Sequence, residues 1–450
     1  MEPISNAANM AGGEVGTVAD VLADGKAQQL TQKQRKAIIA ATVGTVIEYT
    51  DWVIYATFAS ILGAKFFPAG NSLTALLAVF AVFAVGFVMR PIGGAVLGAF
   101  ADRHGRKKGL TLSILLMSGS SFVIGLSPTY ETIGPLAPII LVLARLTQGF
   151  SAGGEFGSAS AFLIESAPAN RRAFAGSWQW FAINAGTMVS FILAFGLASI
   201  GTDTGLSDWG WRVGFVVAGF LGLIGLWIRQ SVGETEIFKK EVAGKVSERN
   251  PAYTVLFKHP RDSMRVIGIA MAGNLLNYVW MVNYPSYVHL VTGASIHDTL
   301  LAGIIAIAVS LVMIPFVGML ADRIGRRPVL IAFAFASALF AWPSLGLLHE
   351  GISFLEIVAL QTTALVIMTG FAAGAAVTMA EQFPAAVRVT GIGFPYAMSV
   401  TLFGGTSPYI ITAMTGAGLG GYVWIYLAAV SVIGGIVYLR MPETKGQPLR

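Results

Sequence analysis

The chain has 450 residues, of which 55% are hydrophobic and 12% charged, with a formal net charge of +6 at pH 7. A soluble domain carries about a quarter charged residues, so a water-soluble globule is excluded. The absence of cysteine excludes disulfide frameworks and thiolate metal sites, and basic residues spread along the whole chain rather than gathered in one patch argue against nucleic acid as a partner.

Residues 1–36 are small, polar and mixed in charge, without an apolar stretch ahead of a cleavage site, and read as a disordered cytoplasmic tail rather than a secretory signal. Twelve apolar runs follow, each long enough to cross about 30 Å of hydrocarbon as a helix. They lie near 38–63, 73–100, 110–127, 136–164, 173–199, 211–229, 265–291, 299–320, 329–348, 353–380, 390–415 and 420–440. Open strands have no place at this depth, because lipid offers no partner to a sheet edge. The spacing predicts an all-α polytopic membrane protein whose twelve transmembrane helices form two six-helix bundles, at 37–230 and 264–441. A charged cytoplasmic linker with Pro251 and Pro260 joins them over 231–263, and 442–450 form a cytoplasmic tail. The loops on one side collect Arg35, Lys36, Arg106, Lys107, Lys108, Arg171, Arg172, Lys239, Lys240, Arg326 and Arg327, whereas the other side holds Lys65 and Arg212. By the positive-inside rule both termini are cytoplasmic. Trp209 and Trp211 read as interface anchors.

Two motifs occur twice at nearly the same offset. Gly98, Asp102, Arg103, Gly105 and Arg106 return as Gly318, Asp322, Arg323, Gly325 and Arg326, and Glu165, Pro168 and Arg171 return as Glu381, Pro384 and Arg388. A near-constant interval between unrelated motifs predicts an internal repeat. In each copy the aspartate is placed to meet a helix N-terminus or a cation. The following arginines are placed to meet Glu165 in the first half and Glu381 in the second. These contacts would latch one gate and release it when that gate opens.

An ionisable side chain near the bilayer centre costs at least about 2.5–3.5 kcal/mol, so each needs a partner or a wet cavity. The first run carries Glu48 and Asp51, the second Arg90, the fourth Arg145 and Glu155. On an ideal helix Asp51 and Tyr55 lie about 60° and 20° from Glu48, and Gln148 and Glu155 within about 80° of Arg145, giving two polar stripes. Arg90, permanently charged and able to fork two hydrogen bonds to a carboxylate, is the candidate substrate anchor. Glu48 or Asp51 is the candidate proton carrier, with Arg145 and Glu155 beside it. Mutual neutralisation of these charges as buried ion pairs is the structural alternative. Trp180 and Asn184 in the fifth run, Asn277 and Tyr278 in the seventh and Tyr396 in the eleventh add neutral polar and aromatic candidates, for which ordinary interhelical hydrogen bonding is an equal alternative. The five histidines fall in loops or at helix ends with no metal-ligand spacing. No phosphate-binding loop or nucleophile with a matched base is present, so no cofactor and no enzyme activity are expected.

The doubled Gly-x-x-x-Asp-Arg-x-Gly-Arg loop resembles the signature of the major facilitator superfamily. Glu48, Tyr49, Asp51, Trp52 and Tyr55, then Gly86, Phe87, Arg90, Pro91, Gly93 and Gly94, resemble the metabolite:proton symporter family within it. So do Arg145, Gln148, Gly149, Ser151, Gly153, Gly154 and Glu155, and the tail Met441, Pro442, Glu443 and Thr444. The resemblance implies two pseudo-symmetric bundles and proton-driven import of organic acids such as α-ketoglutarate or citrate, or of zwitterions such as proline or betaine. Thr50 stands where the family usually has an aromatic, Phe403 to Pro408 resemble the organic-acid branch, and no coiled-coil heptads precede Arg450. These features favour a carboxylate. The expectation is therefore a monomeric, lipid-embedded importer of a small organic acid with protons, in the bacterial inner membrane. The rivals are an osmolyte symporter, whose aromatic side chains would cage an ammonium, and a receptor that binds without translocating.

Overall fold

A computed structural model describes residues 32–68, 72–104, 106–165, 167–200, 206–231, 255, 257–384, 387–447 and 449. Most of the expected first tail and of the linker at 231–263 lies outside the described residues. Sixteen α-helical segments build the membrane spans. The first half contains α1 (Gln32–Thr57), α2 (Ala59–Phe66), α3 (Ser72–His104), α4 (Arg106–Leu126), α5 (Leu136–Ser151), α6 (Glu155–Glu165), α7 (Arg172–Ile200) and α8 (Trp211–Ser231). The second contains α9 (Pro260–Leu276), α10 (Tyr284–Thr292), α11 (Ile296–Ile324), α12 (Arg326–Gly346), α13 (Phe354–Ala380), α14 (Arg388–Ser399), α15 (Ser407–Gly416) and α16 (Val423–Arg440).

These segments make twelve crossings, because four spans are interrupted. Phe58 leaves helical geometry between α1 and α2, and a 3-10 turn at Ala152–Gly154 separates α5 from α6. π-helical turns at Asn277–Asn283 and Val400–Gly405 join α9 to α10 and α14 to α15. Each π turn carries one residue more than the α register needs, a departure frequent at functional sites. The first helix begins at Gln32 and the seventh span at Pro260, both earlier than the apolar pattern indicates, because polar residues extend a helix beyond its membrane-buried part at little cost.

The two bundles share one packing plan. In the first half α3 lies on α5 and α4 on α8; in the second, α11 lies on α13 and α12 on α16. Across the halves α7 packs on α11, and α3 meets α14 and α15. These are equivalent pairs under exchange of the halves. The α3–α5 contact is backbone on backbone. A Cβ on Gly149 would sit 1.8 Å from the Gly86 carbonyl oxygen, and one on Gly153 would sit 2.0 Å from that of Arg90. No side chain fits there, so the helices bearing Arg90 and Arg145 are locked together.

At the far end, α11 and α13 start with Ser295 and Ser353 as N-caps, the latter in a capping box with Glu356. Trp211 departs from the expected interface position. It is fully buried, edge-on to Phe66 at 5.5 Å with the Arg212 guanidinium 4.4 Å above it, while Trp209 is exposed. Both residues border the same span end, and adjacent positions on a helix point to different faces.

Candidate functional site

At the centre of the first half, the side chains of α1, α3, α4 and α5 converge. Asp51 is 1% exposed. It accepts a short hydrogen bond from the Ser121 hydroxyl of α4 and a 3.2 Å bond from Gln148 Nε2. The same Gln148 nitrogen donates to Ser121 Oγ at 2.8 Å, and Gln148 Oε1 accepts from Arg145 Nη1 at 2.8 Å. Arg145 therefore reaches the carboxylate only through the amide of Gln148. Its guanidinium carbon lies 4.2 Å from the ring centroids of both Trp52 and Tyr55, and 5.1 Å from that of Phe83. The residue is completely buried, yet Nε and Nη2 have no hydrogen-bond partner.

Arg90 lies on the side of this cluster that faces the second half. Its guanidinium carbon is 4.0 Å from the Trp52 ring and 4.5 Å from Phe87, and its Nε is buried without a partner. Tyr278, from the π turn of the seventh span, sits beside Arg90 and Trp52 and meets Phe87 edge-on at 5.2 Å. Tyr49 and Tyr396 lie next to each other at the same interface, and the Tyr396 ring stacks on Phe156 at 3.6 Å. Phe156 leads to Trp180, which packs on Phe371 at 4.9 Å. The packed interface of the halves thus brings arginines of the first half against Tyr278 and Tyr396 of the second. Among the described residues neither Arg90 nor Arg145 forms an ion pair with a carboxylate.

Several residues singled out in the sequence stand differently from one another. Arg90, Asp51, Arg145, Gln148 and Tyr278 are brought together, and half-buried Glu48 lies near Tyr49 at the edge of the group. Tyr55 is spent on support: its hydroxyl donates to the Val79 carbonyl at 3.1 Å and its ring carries Arg145. Asn184 donates to Ser310 Oγ at 3.1 Å, an interhelical bond between the halves. Asn277 is buried at the start of its π turn. A 3-10 turn at Ala152–Gly154 lies between the helix of Arg145 and Glu155, whose side chain lies outside the described residues. The sequence does not single out Ser121 and Phe83, since one hydroxyl among the serines of α4 and one ring among many phenylalanines carry no distinguishing pattern, and Phe87 enters it only through the family motif.

The repeated motifs gather at the end of the bundle where the basic loops lie. The two Asp322 oxygens accept from the backbone N–H groups of Ala173 and Phe174, both at 2.9 Å, in the first turn of α7 in the opposite half. Arg326 lies 3.4 Å from Asp322 and 3.6 Å from Glu381, and Arg172 reaches Glu381 at 3.8 Å across the halves. Burial pushes the Glu381 carboxyl up from its ordinary value, opposed first by Arg326 and then by the Thr444 hydroxyl and Arg172. Glu165 pairs with Arg388 of the second half. Glu443 caps α12 by accepting from the N–H groups of Arg326 and Arg327. Gly325, at φ 109°, must be glycine there, since a Cβ would lie 2.5 Å from that carboxylate. The backbone of Arg323 accepts from Lys445. The side chains of Asp102, Arg103 and Arg106 lie outside the described residues.

The halves also meet at the far end, where the rings of Phe195 and His297 lie 4.3 Å apart. The halves thus touch at both ends. Among the described residues no three His, Asp or Glu side chains gather as a metal would require.

The sugar (and other) transporter family model matches the chain twice, over residues 36–250 and 235–450. The alpha-ketoglutarate permease of Escherichia coli is 34% identical over 422 residues, spanning 93% of this chain and 96% of that protein. The proline/betaine transporter of Salmonella typhimurium is also 34% identical, over 93% of this chain and 85% of its own. The citrate-proton symporter of Klebsiella pneumoniae is 34% identical over 90% of this chain and 91% of its own. Among solved structures, the E. coli xylose transporter XylE in a partially occluded inward-open conformation superposes with a TM-score of 0.74 at 19% identity, over 93% of this chain and 100% of that one. It shares the fold.

Proposed function

Since the chain belongs to the major facilitator superfamily, among its metabolite:proton symporters, we propose that it imports a small organic acid together with protons by alternating access. One observation carries this reading: two buried guanidinium groups, Arg145 at the centre of the first half and Arg90 on its side toward the second, meet no carboxylate among the described residues and keep unpartnered N–H groups. A buried cation without a counter-ion is costly, and an anionic cargo removes that cost when it arrives. Arg90 holds the carboxylate by a forked pair of hydrogen bonds. Asp51 takes and releases the proton, with Ser121, Gln148 and Arg145 adjusting to either state, and Tyr278, Tyr396 and Asn277 face the substrate from the second half.

The ion pairs of Asp322, Arg326, Glu381, Glu165 and Arg388 hold the basic end shut, and their separation opens it. With that end at the cytoplasm, as the positive-inside rule indicates, the protein sits in the bacterial inner membrane with both termini inside. The halves, joined through the linker at 231–263, rock about the central site. The coupling has a charge constraint. A dianion carried with one proton moves net negative charge against an interior-negative potential at a cost of about 2.3 kcal/mol per 100 mV, which a second proton removes.

The identity shared with proline/betaine transporters keeps a zwitterion in view. Against it, of the rings that could cage an ammonium, Trp280 donates its indole N–H to Ser344 Oγ, Trp178 packs on Phe181, Trp180 packs on Phe371, and Tyr278 sits beside Arg90, which repels a cation. Proteoliposomes with an imposed inward proton gradient test the reading. Labelled α-ketoglutarate or citrate should accumulate, counterflow should separate transport from mere binding, and a protonophore should abolish accumulation. Uptake competed by betaine and proline but by neither acid would overturn it.

A further inference from the structure

The Trp52 indole sits beside the Tyr278 hydroxyl. Among the described residues it is the only ring over which both central guanidinium groups lie, with guanidinium carbons 4.0 and 4.2 Å from it. The two like charges therefore lie within about 8 Å of each other in a poorly solvated interior, where repulsion is strong. The indole face, the most favourable of the aromatic faces for a cation, offsets part of that repulsion. The ring is itself fixed. It is 1% exposed, edge-on to Phe87 at 4.8 Å and tilted against Phe83 at 5.9 Å, and a Cβ on Gly86 would lie only 3.6 Å from its Cη2.

Asp51, next in sequence, is a carboxylate that Arg145 could otherwise pair with directly, yet Arg145 stops at the Gln148 amide. We infer that Trp52 is a positioning residue: its π face holds Arg145 off Asp51 and Arg90 beside it. Both guanidinium groups are thereby kept open to an incoming anion and Asp51 is kept free to exchange its proton. Without the indole, Arg145 turns onto Asp51 and forms a direct ion pair. That pair stabilises the ionised carboxylate and removes one of the two cations from the anion site. Substrate and proton then cease to assist each other's binding, a linkage that must act equally in both directions.

This inference rests on the assignment of Asp51 and Arg90 above, and its test includes one measurement that needs no substrate. In purified protein, the infrared carbonyl band absent from Asp51→Asn is titrated in wild type and Trp52→Leu. The inference expects the midpoint of Trp52→Leu to move to lower pH by about one unit; an unmoved midpoint in folded protein overturns it. Calorimetry with α-ketoglutarate should show binding weakened about tenfold in Trp52→Leu, with its dependence on pH flattened. Weaker binding with the wild-type pH profile would mean that Trp52 only fills space, which also overturns the inference. Should Trp52→Leu fail to fold, Trp52→Phe, which keeps a smaller π face, decides: a midpoint displaced in the same direction by a smaller amount supports the role, and a wild-type midpoint ends it. If wild type binds neither α-ketoglutarate nor citrate, the organic-acid reading falls, while the infrared titration still judges Trp52.

Discussion

The centre of the molecule and its basic end both concentrate charge, but in opposite ways. At the basic end the carboxylates have protein partners: Asp322 has two backbone N–H groups and Arg326, Glu381 has two arginines, and Glu165 has Arg388. Those contacts join one half to the other. At the centre the arginines rest on aromatic rings with N–H groups left over. Charges paired across an interface are suited to hold it shut, and cations that meet no carboxylate among the described residues are suited to receive an anion. The contrast separates the working parts of a transporter by the pairing of their charges, before any substrate is known.

Substitutions can break this contrast or sharpen it. The largest effect is expected from Asp51→Asn, which keeps the contacts of Ser121 and Gln148 but cannot exchange a proton. Accumulation under a proton gradient should fall to equilibration while exchange of preloaded substrate persists, as paired uptake and counterflow assays would read. Gly153→Ala forces a methyl group onto the Arg90 carbonyl and should destabilise the protein by about 3 kcal/mol, visible as lost monodispersity on size-exclusion chromatography. Arg90→Lys keeps the charge and loses the fork, at a cost of about 2 kcal/mol or roughly thirtyfold in uptake efficiency; uptake near wild type would remove Arg90 from the site.

At the other region, Asp322→Ala deletes a cap that spans the halves and should favour opening there by about 1–2 kcal/mol. The natural absence of cysteine makes this measurable with a single thiol at Gly393, which lies against Gly157 of the other half with room for a Cβ. Its maleimide labelling should accelerate about tenfold. Glu165→Gln should do least, under about 1 kcal/mol, because the Glu165 side chain is 45% exposed and water screens its pair with Arg388. A Glu165 effect larger than that of Asp322 would reverse the assignment of the principal latch.

The twelve crossings were legible because lipid demands long apolar runs, and the charged residues within those runs were conspicuous for the same reason. Arg90, Asp51, Arg145 and Gln148 could be named from their surroundings in the sequence alone. The interruptions could not. The turns at Ala152–Gly154, Asn277–Asn283 and Val400–Gly405 depend on what packs opposite them, and no local pattern distinguishes them from continuous helix. Partner choice was equally hidden: helical spacing puts Asn184 and Tyr278 on polar faces, but only the packed bundle commits the first to Ser310 and the second to the side of Arg90. Glu165 illustrates the same limit, since its cation comes from a motif more than two hundred positions away.

The widened turns have a consequence for how such a protein changes cargo. Each holds one surplus residue, so losing one residue from Asn277–Asn283 would restore the regular register while the helix after it keeps its facing. The Tyr284 hydroxyl, which donates to the Ser344 carbonyl at 3.0 Å, would stay in place, and the side chains of the turn itself, Tyr278 among them, would be re-aimed. The cationic side, locked by glycine contacts, would not change. A single-codon deletion is thus an evolutionary step that re-tailors the neutral side of the interface while leaving the energy-coupling side intact.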